Sequence, residues 1–482
     1  TKPLMKKLSL LFIAFGVLSH ASAQFEKDKQ AVGASLERKY ANYCQIARDI
    51  WGFAELGYLE TKSSALLQQT LKSEGFTVEN GVAEIPTAFV ATFGSGKPVI
   101  GIIAEYDALP GLSQDSVPYR KPLKEGGNGH GCGHNLFGTA SMASAIALKD
   151  WLIQSKRSGT VKLFGTPAEE GGGGKVYMAR AGLFDDVDIA LHWHPADRNI
   201  ANPESCLAVK QANFRFYGKS SHAAGSPDKG RSALDGVEAM NMMVNMMREH
   251  APQESRIHYV IKNGGLAANV VPDFAEVEYM VRDIYVKRAE ELWNRVVKCA
   301  EGAAVGTETT MKYYIVTGLY NLLPNETLAK AMHANLTKVG GVVYNDYEKD
   351  FAQKIQETFG YQAPPLDMAK AVQPFKLSFF PASTDVGDVS WLIPTTGLGT
   401  ATWVPGTAAH TWQTTAADGM TIGLKGMLNA AKTIAMMGVD LFSNPKLVEQ
   451  AKIEFIKQRG KDFQYKPLVG DRKPPLDYRK GI

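Results

Sequence analysis

Apolar residues recur at helical spacing from about Phe25 to Ser73, and Lys72-Ser73-Glu74-Gly75 reads as a helix exit. Val99 to Ala104 is an unbroken apolar run, the pattern of a strand buried on both faces. The Ala-, Met- and Leu-rich segment Gly138 to Ile153 predicts a buried helix, followed by strands over Val161 to Phe164 and Ile189 to Leu191. This alternation predicts an α/β domain with a central, largely parallel sheet flanked by helices. Near Val209 the pattern changes to strands at Asn213 to Tyr217, Ile257 to Ile261 and Ala275 to Val281, around two long helices, Ser232 to Glu249 and Lys287 to Glu301. Such a stretch predicts an α+β insert over residues 210–322 that splits the α/β domain into 24–209 and 323–441. The tail, 442–482, is charged and ends rich in proline, and is expected to wrap over the surface or be partly disordered.

With 482 residues, 45% apolar and 21% charged, the chain is neither a disulfide-stapled module, nor wholly disordered, nor a polytopic membrane protein. Of its formal charge of +4, three units sit on Lys2, Lys6 and Lys7, which leaves +1 for the rest. That gives no concentrated basic footprint for nucleic acid or an anionic membrane, and points to a small-molecule partner. Met5-Lys6-Lys7, the apolar run Leu8 to Leu18 and the small residues Ala21-Ser22-Ala23 have the layout of a cleaved signal peptide spanning 1–23. The apolar run is too short to span a bilayer, so an exported protein, periplasmic or secreted and without stable membrane insertion, is expected. Cys44, Cys206 and Cys299 read as small packing residues, and the Met-rich stretch Met240 to Met247 as core or interface.

Chemistry concentrates elsewhere. Gly129-His130-Gly131-Cys132-Gly133-His134 places a thiol and two imidazoles in a glycine-rich turn, and thiolate and imidazole are favoured ligands of zinc and its neighbours. Taken alone the segment also reads as an incidental turn, or as a cysteine nucleophile with His134 as its base. The strand Val161 to Phe164 leads into Thr166-Pro167-Ala168-Glu169-Glu170 and four glycines, which sets two adjacent carboxylates where α/β folds build their sites. A cation beside them is the simplest relief of their repulsion. A phosphate loop ending at Lys175 does not fit, because Glu169 and Val176 stand where glycine and a hydroxyl are required. His192-Trp193-His194-Pro195 follows another strand, and His410 closes the set. Together these residues suffice for a two-metal hydrolytic site.

The succession Glu55-Leu56-Gly57-Tyr58, Asp107-Ala108-Leu109-Pro110, Cys132-Gly133-His134, Pro167-Ala168-Glu169-Glu170, Gly218-Lys219-Ser220-Ser221-His222-Ala223 and Asn269-Val270-Val271-Pro272 resembles the amidohydrolase branch of the two-metal aminoacylase and carboxypeptidase superfamily. Trp193-His194-Pro195 and Ser383-Thr384-Asp385-Val386-Gly387-Asp388 are similar to its p-aminobenzoyl-glutamate hydrolase members. The resemblance implies Cys132, His134, Glu170, His194 and His410 as ligands of two divalent ions, zinc, manganese or cobalt, with Cys132 bridging them. His192 competes with His194 for its place, and the 24-position offset from Glu170 favours His194. By the same resemblance Glu169 is the proton shuttle, Asp107 supports a metal ligand, and Asn269 and Arg282 hold a substrate carboxylate. The insert becomes a dimerisation or lid domain whose His222 reaches the partner subunit's site, in a homodimer or in a heteromer with a related subunit.

The implied activity is metal-dependent cleavage of an N-acyl amino acid, p-aminobenzoyl-glutamate or a similar aroyl-amino acid. A dipeptidase or general aminoacylase is the alternative within the superfamily. Outside it stand a cysteine hydrolase, which would leave Glu170 and His410 without a role, and a catalytically silent binding protein, which would be expected to have lost one of these groups.

Overall fold

The computed structural model describes residues 24–481. Segment 1–23, read from the sequence as a signal peptide, lies outside them. Ten strands build the two larger sheets: β1 (Thr77–Asn80), β2 (Phe89–Ser95), β3 (Val99–Ala104), β4 (Gly159–Gly165), β5 (Ile189–Leu191), β6 (Ala208–Tyr217), β7 (Arg256–Asn263), β8 (Phe274–Asp283), β9 (Thr310–Leu319) and β10 (Thr395–Thr396). The central sheet has the order β1-β2-β4-β3-β5-β10. Its β4, β3, β5 and β10 are parallel, and β1 and β2 run antiparallel at one edge. Every residue of β3 is buried, as its unbroken apolar run requires.

From β3 the chain crosses through helix α1 (His134–Ser155) to β4 on one side, while β5 pairs with β3 on the other. The carboxyl ends of these three strands therefore open at a point where the winding reverses, the place where open α/β sheets hold their ligands. Glu105 and Asp107 follow β3, Glu169 and Glu170 follow β4, and His192 and His194 follow β5. α1 begins four residues before the Gly138 expected from the sequence, because Gly133 adopts a left-handed φ of 74° and makes His134 the first helical residue. Gly138 lets the helix pass close to the end of β3, since a Cβ there would meet the Glu105 carbonyl oxygen at 2.7 Å.

The second sheet, β9-β6-β8-β7, is antiparallel. Helices α2 (Ala233–Arg248) and α3 (Val286–Gly306) pack on it around a separate core that includes Phe214, Phe216, Met240 and Trp293. β9 gives no clear signal in the sequence because it lies at the sheet edge and stays largely exposed along its first half. The methionines divide by helical phase: Met240 and Met247 are buried, whereas Met242, Met243 and Met246 face outward.

Three local differences from the sequence-based expectation have physical causes. The first helical region is broken into 24–38, Tyr40–Phe53 and Thr61–Ser73, with Ala54 and Tyr58 in left-handed conformations between the last two. The antiparallel edge formed by β1 and β2 carries too few apolar positions in β1 to signal a strand. The tail is ordered: Pro445–Arg459 is a helix, Leu468 and Val469 beyond it are buried, and the Tyr465 hydroxyl donates to Asp388 Oδ1 at 2.6 Å. All four cysteines are unpaired thiols, three of them buried. Among the described residues no helix is long and apolar enough to cross a membrane.

Asp188 ties this framework together. Its Oδ2 accepts the Val99 amide at 2.7 Å at the start of β3, and its carboxylate pairs with Lys97 and Lys452. Burial pushes the carboxyl up, but Lys452, the Val99 amide and Lys97 outweigh it and hold the pKa below the usual range. A depressed folded pKa adds stability above the unfolded value near pH 4, which is lost as pH falls through the folded one. Asp188→Asn is expected to cost about 1.5–3 kcal/mol at pH 7 and progressively less towards pH 3, as measured by denaturant titration at both pH values.

Candidate metal centre

The histidine tautomers follow from their neighbours. His134 Nδ1 lies 2.9 Å from Asp107 Oδ1, so that nitrogen carries a proton; burial opposes a second one, but Cys132, Glu105 and Asp107 raise the imidazole pKa well above its ordinary value, and Nε2 is free for a metal ion once that proton is displaced. His194 Nδ1 lies 2.7 Å from the Pro195 carbonyl, which leaves its Nε2 bare, 3.5 Å from Cys132 Sγ. Asp107 Oδ2 accepts the Glu170 amide at 2.9 Å, so one carboxylate orients His134 and fixes the loop that carries Glu170. Glu170 Oε1 stands 3.3 Å from His410 Nε2.

Donor atoms converge in three groups, each with its members within 4.8 Å of one another: Cys132, His134 and His194; Cys132, Glu170 and His410; and Glu105, His134 and Glu169. Cys132 is shared by the first two, the position of a bridging ligand. For a tetrahedral ion with bonds of about 2.0–2.3 Å, neighbouring donors stand about 3.3 Å apart for N and O and about 3.5 Å for S and N. The Glu170–His410 and Cys132–His194 separations match these values. Glu105 Oε2, His134 Nε2 and Glu170 Oε1 are buried without a hydrogen-bond partner, a cost that a cation between them removes. The residues present fit two divalent ions.

The electrostatics agree with that reading. Burial raises the Cys132 thiol well above its ordinary pKa, so the thiolate that binds metal needs a cation nearby. Burial, reinforced by Glu105, Glu170 and Asp385, also raises Glu169 well above the carboxylate range. Burial opposes ionisation of Asp107 too, but His134 overcomes it and holds that carboxyl low. His192 belongs to none of the donor groups; its ring lies against Gly397, and burial depresses its pKa to about 3. His130 Nε2 donates to the Ile50 carbonyl at 3.0 Å, which makes His130 a packing residue.

Several contributors were invisible in the sequence. Glu60 is fully buried and accepts the Ala168 amide at 2.8 Å, which holds Ala168 in a left-handed turn with φ 59° just before the two glutamates. From the far end of the chain, the Tyr478 hydroxyl and an Arg479 guanidinium nitrogen donate to the Glu170 carbonyl at 3.1 and 2.9 Å. Lys175, also fully buried, pairs with Glu105 Oε1 at 2.7 Å and Asp385 Oδ1 at 2.6 Å. Glu105 had one sequence signal, an acid placed two residues before Asp107 at the exit of a buried strand.

The residues of the second sheet stand apart from these groups. His222 and Asn269 lie together on exposed loops, joined by a His222–Val270 bridge and by the Ala223 amide on the Asn269 carbonyl at 3.0 Å. Arg282 is half-buried near the other end of β8, about 26 Å along the strand from Phe274. The structure brings His222 and Asn269 together and does not bring Arg282 to them.

The model of "Peptidase family M20/M25/M40" matches residues 101–411, a span that contains all the converging donors. The chain belongs to this family. Among relatives, the chain is 42% identical over 448 residues to one of the two kinds of p-aminobenzoyl-glutamate hydrolase subunit of Escherichia coli, covering 87% of this chain and 93% of that one. It is 29% identical over 450 residues to the mouse Xaa-Arg dipeptidase, covering 90% and 94%. Its fold is similar to that of the Bacillus subtilis YXEP protein, described as a dinuclear metal-binding peptidase of the M20 family, with a TM-score of 0.58, 18% identity, and 84% and 98% of the two chains covered. This M20 member is a hydrolase of the metallo-amidohydrolase kind.

Chelation tests the centre directly. Removing metal with EDTA is expected to lower the melting temperature, because a ligand present at about 100 times its Kd stabilises by about 2.7 kcal/mol. Adding back Zn²⁺ or Mn²⁺ should restore it; a melting curve indifferent to chelator and metal would refute the centre.

Proposed function

We propose that this chain hydrolyses the amide bond of p-aminobenzoyl-glutamate or a closely related aroyl-amino acid, using two divalent ions held by Cys132, His134, Glu170, His194 and His410. The observation that carries the reading is the convergence of those donors beside a half-buried, protonatable Glu169, in a chain 42% identical to a p-aminobenzoyl-glutamate hydrolase subunit. When bound, the ions polarise the scissile carbonyl and bring the pKa of water towards neutrality. Glu169 takes the proton of the attacking water and returns it to the leaving nitrogen. Its crowding by Glu105, Glu170 and Asp385 suits this work, since a carboxyl of raised pKa holds a proton long enough to pass it on. Asp107 keeps His134 in one tautomer and one orientation throughout.

His222 is proposed to act across a subunit boundary. Its Nδ1 accepts the Ala224 and Gly225 amides at 3.2 and 3.0 Å, which leaves the proton on Nε2, directed away from its own loop. Such a donor suits the developing oxyanion of a partner's substrate. The surface that would pair the subunits is the outer edge of β7, with Tyr259, Val260 and Ile261 exposed. A second copy of this chain would cover it, or a related chain, since the E. coli relative is named as one subunit of its enzyme. The signal-like segment 1–23 supports export to the periplasm or beyond.

The deciding experiment is release of p-aminobenzoate from p-aminobenzoyl-glutamate by metal-loaded, leader-free protein, with a chelated control. Chelator-sensitive release is expected, and Glu169→Gln should retain its metal while losing about 10²–10⁴-fold in kcat. Absence of release with intact metal binding would displace the substrate and leave the hydrolase, with Xaa-Arg dipeptides as the next substrates to assay.

A shared site makes a separate prediction. His222→Ala and Glu169→Ala chains, each inactive alone, should recover part of the activity when mixed and allowed to exchange subunits. No recovery under conditions of proven exchange would place His222 outside the partner's site.

A further inference from the structure

We propose that Glu105 is a carboxylate donor to the ion at His134 Nε2, held in that position by the buried pair Lys175 and Asp385. The inference rests on the two-ion reading and extends it by one ligand.

The contact between Glu105 and His134 carries the argument. Asp107 Oδ1 holds His134 through Nδ1, which turns Nε2 towards Glu105. Glu105 Oε2 stands 3.1 Å from that nitrogen, although the two atoms are not hydrogen-bonded to each other and neither has another hydrogen-bond partner. Buried at this distance without a hydrogen bond, the two atoms call for a positive charge between them, which a metal ion supplies when bound and a proton on the imidazole supplies otherwise. Glu170 Oε1 and His410 Nε2 show the same arrangement at the other end of the cluster: 3.3 Å apart, with the carboxylate oxygen buried and otherwise unpartnered. Separations of 3.1 and 3.3 Å both suit two donors on one ion. The third donor group, Glu105, His134 and Glu169, places the additional carboxylate beside the proton shuttle.

The other oxygen of Glu105 explains why the side chain cannot turn away. Oε1 pairs with Lys175 Nζ at 2.7 Å, and Lys175 is held in turn by Asp385, through Nζ at 2.6 Å and through its own amide at 3.0 Å. All three side chains are at most 1% exposed. A lone Lys175–Asp385 pair would already balance its charge. Glu105 adds a second negative group to one lysine, and the surplus points at His134.

The test is metal content and metal-induced stabilisation in Glu105→Gln. Wild-type protein dialysed against buffered Zn²⁺ is expected to hold two ions per chain. Glu105→Gln should hold one tightly and bind the other about 100-fold more weakly, the upper end of what loss of a supporting group costs. The rise in melting temperature on adding Zn²⁺ should shrink, whereas a residue that served only as a salt-bridge partner of Lys175 would lower the apo and metal-loaded melting temperatures equally. If the single variant does not fold, Glu105→Gln with Lys175→Met removes the stranded lysine charge, leaves the amide of residue 175 on Asp385, and should show the same loss of one ion. Two ions bound with unchanged affinity and an undiminished melting-temperature rise would overturn the proposal. Wild-type protein that binds no Zn²⁺ would overturn the two-ion reading, and this inference with it.

Discussion

Too many negative groups share too little solvent at the carboxyl ends of β3 and β4, and much of the structure answers that constraint. Glu105, Asp107, Glu169, Glu170 and Asp385 crowd one loop cluster, with Lys175 as the fully buried lysine among them. Each carboxylate is treated differently. Asp107 is kept ionised by His134, Asp385 is pinned by Lys175, and Glu169 takes the full force of burial and like charge. The two divalent ions proposed for this cluster would complete the charge balance, and the same crowding raises the affinity of Glu169 for a proton.

The fold supplies this crowding by making consecutive parallel strands end together. The sheet order places β4 and β5 on opposite sides of β3, so three loops from distant parts of the sequence meet. The left-handed turns at Gly133 and Ala168 then aim His134 and the two glutamates inward, one through glycine's conformational freedom and the other through an amide held by buried Glu60. The second sheet has its own core and contributes no donor to these groups, which leaves its exposed loops available for contact with another subunit.

Legibility in the sequence followed chemical distinctiveness and locality. Cys132, His134 and the Glu169-Glu170 pair stand in glycine-rich loops after buried apolar runs, where their side-chain types announce metal chemistry. The expected α/β sheet was legible because β3 and β5 carry no polar side chain and β4 carries Val161, Leu163 and Phe164. The roles of Lys175 and Asp385 were not, although both stand in segments that drew attention, because their meaning lies in pairing across 210 positions; Glu105 had only its place two residues before Asp107. β9 was lost for a related reason, as a half-exposed edge strand carries only half of the alternation that marks a strand.

The anchoring of the Glu170 carbonyl by Tyr478 and Arg479 gives the order of synthesis a bearing on chemistry. The partners of that carbonyl emerge more than 300 positions after it, so a growing chain pairs β3 with β4 and brings Asp107 to the Glu170 amide before these two donors exist. Asp107 and Glu60 hold the turn from residues made before it, and the C-terminal segment adds the last hydrogen bonds to its carbonyl, so the full bonding of this turn waits on the end of the chain.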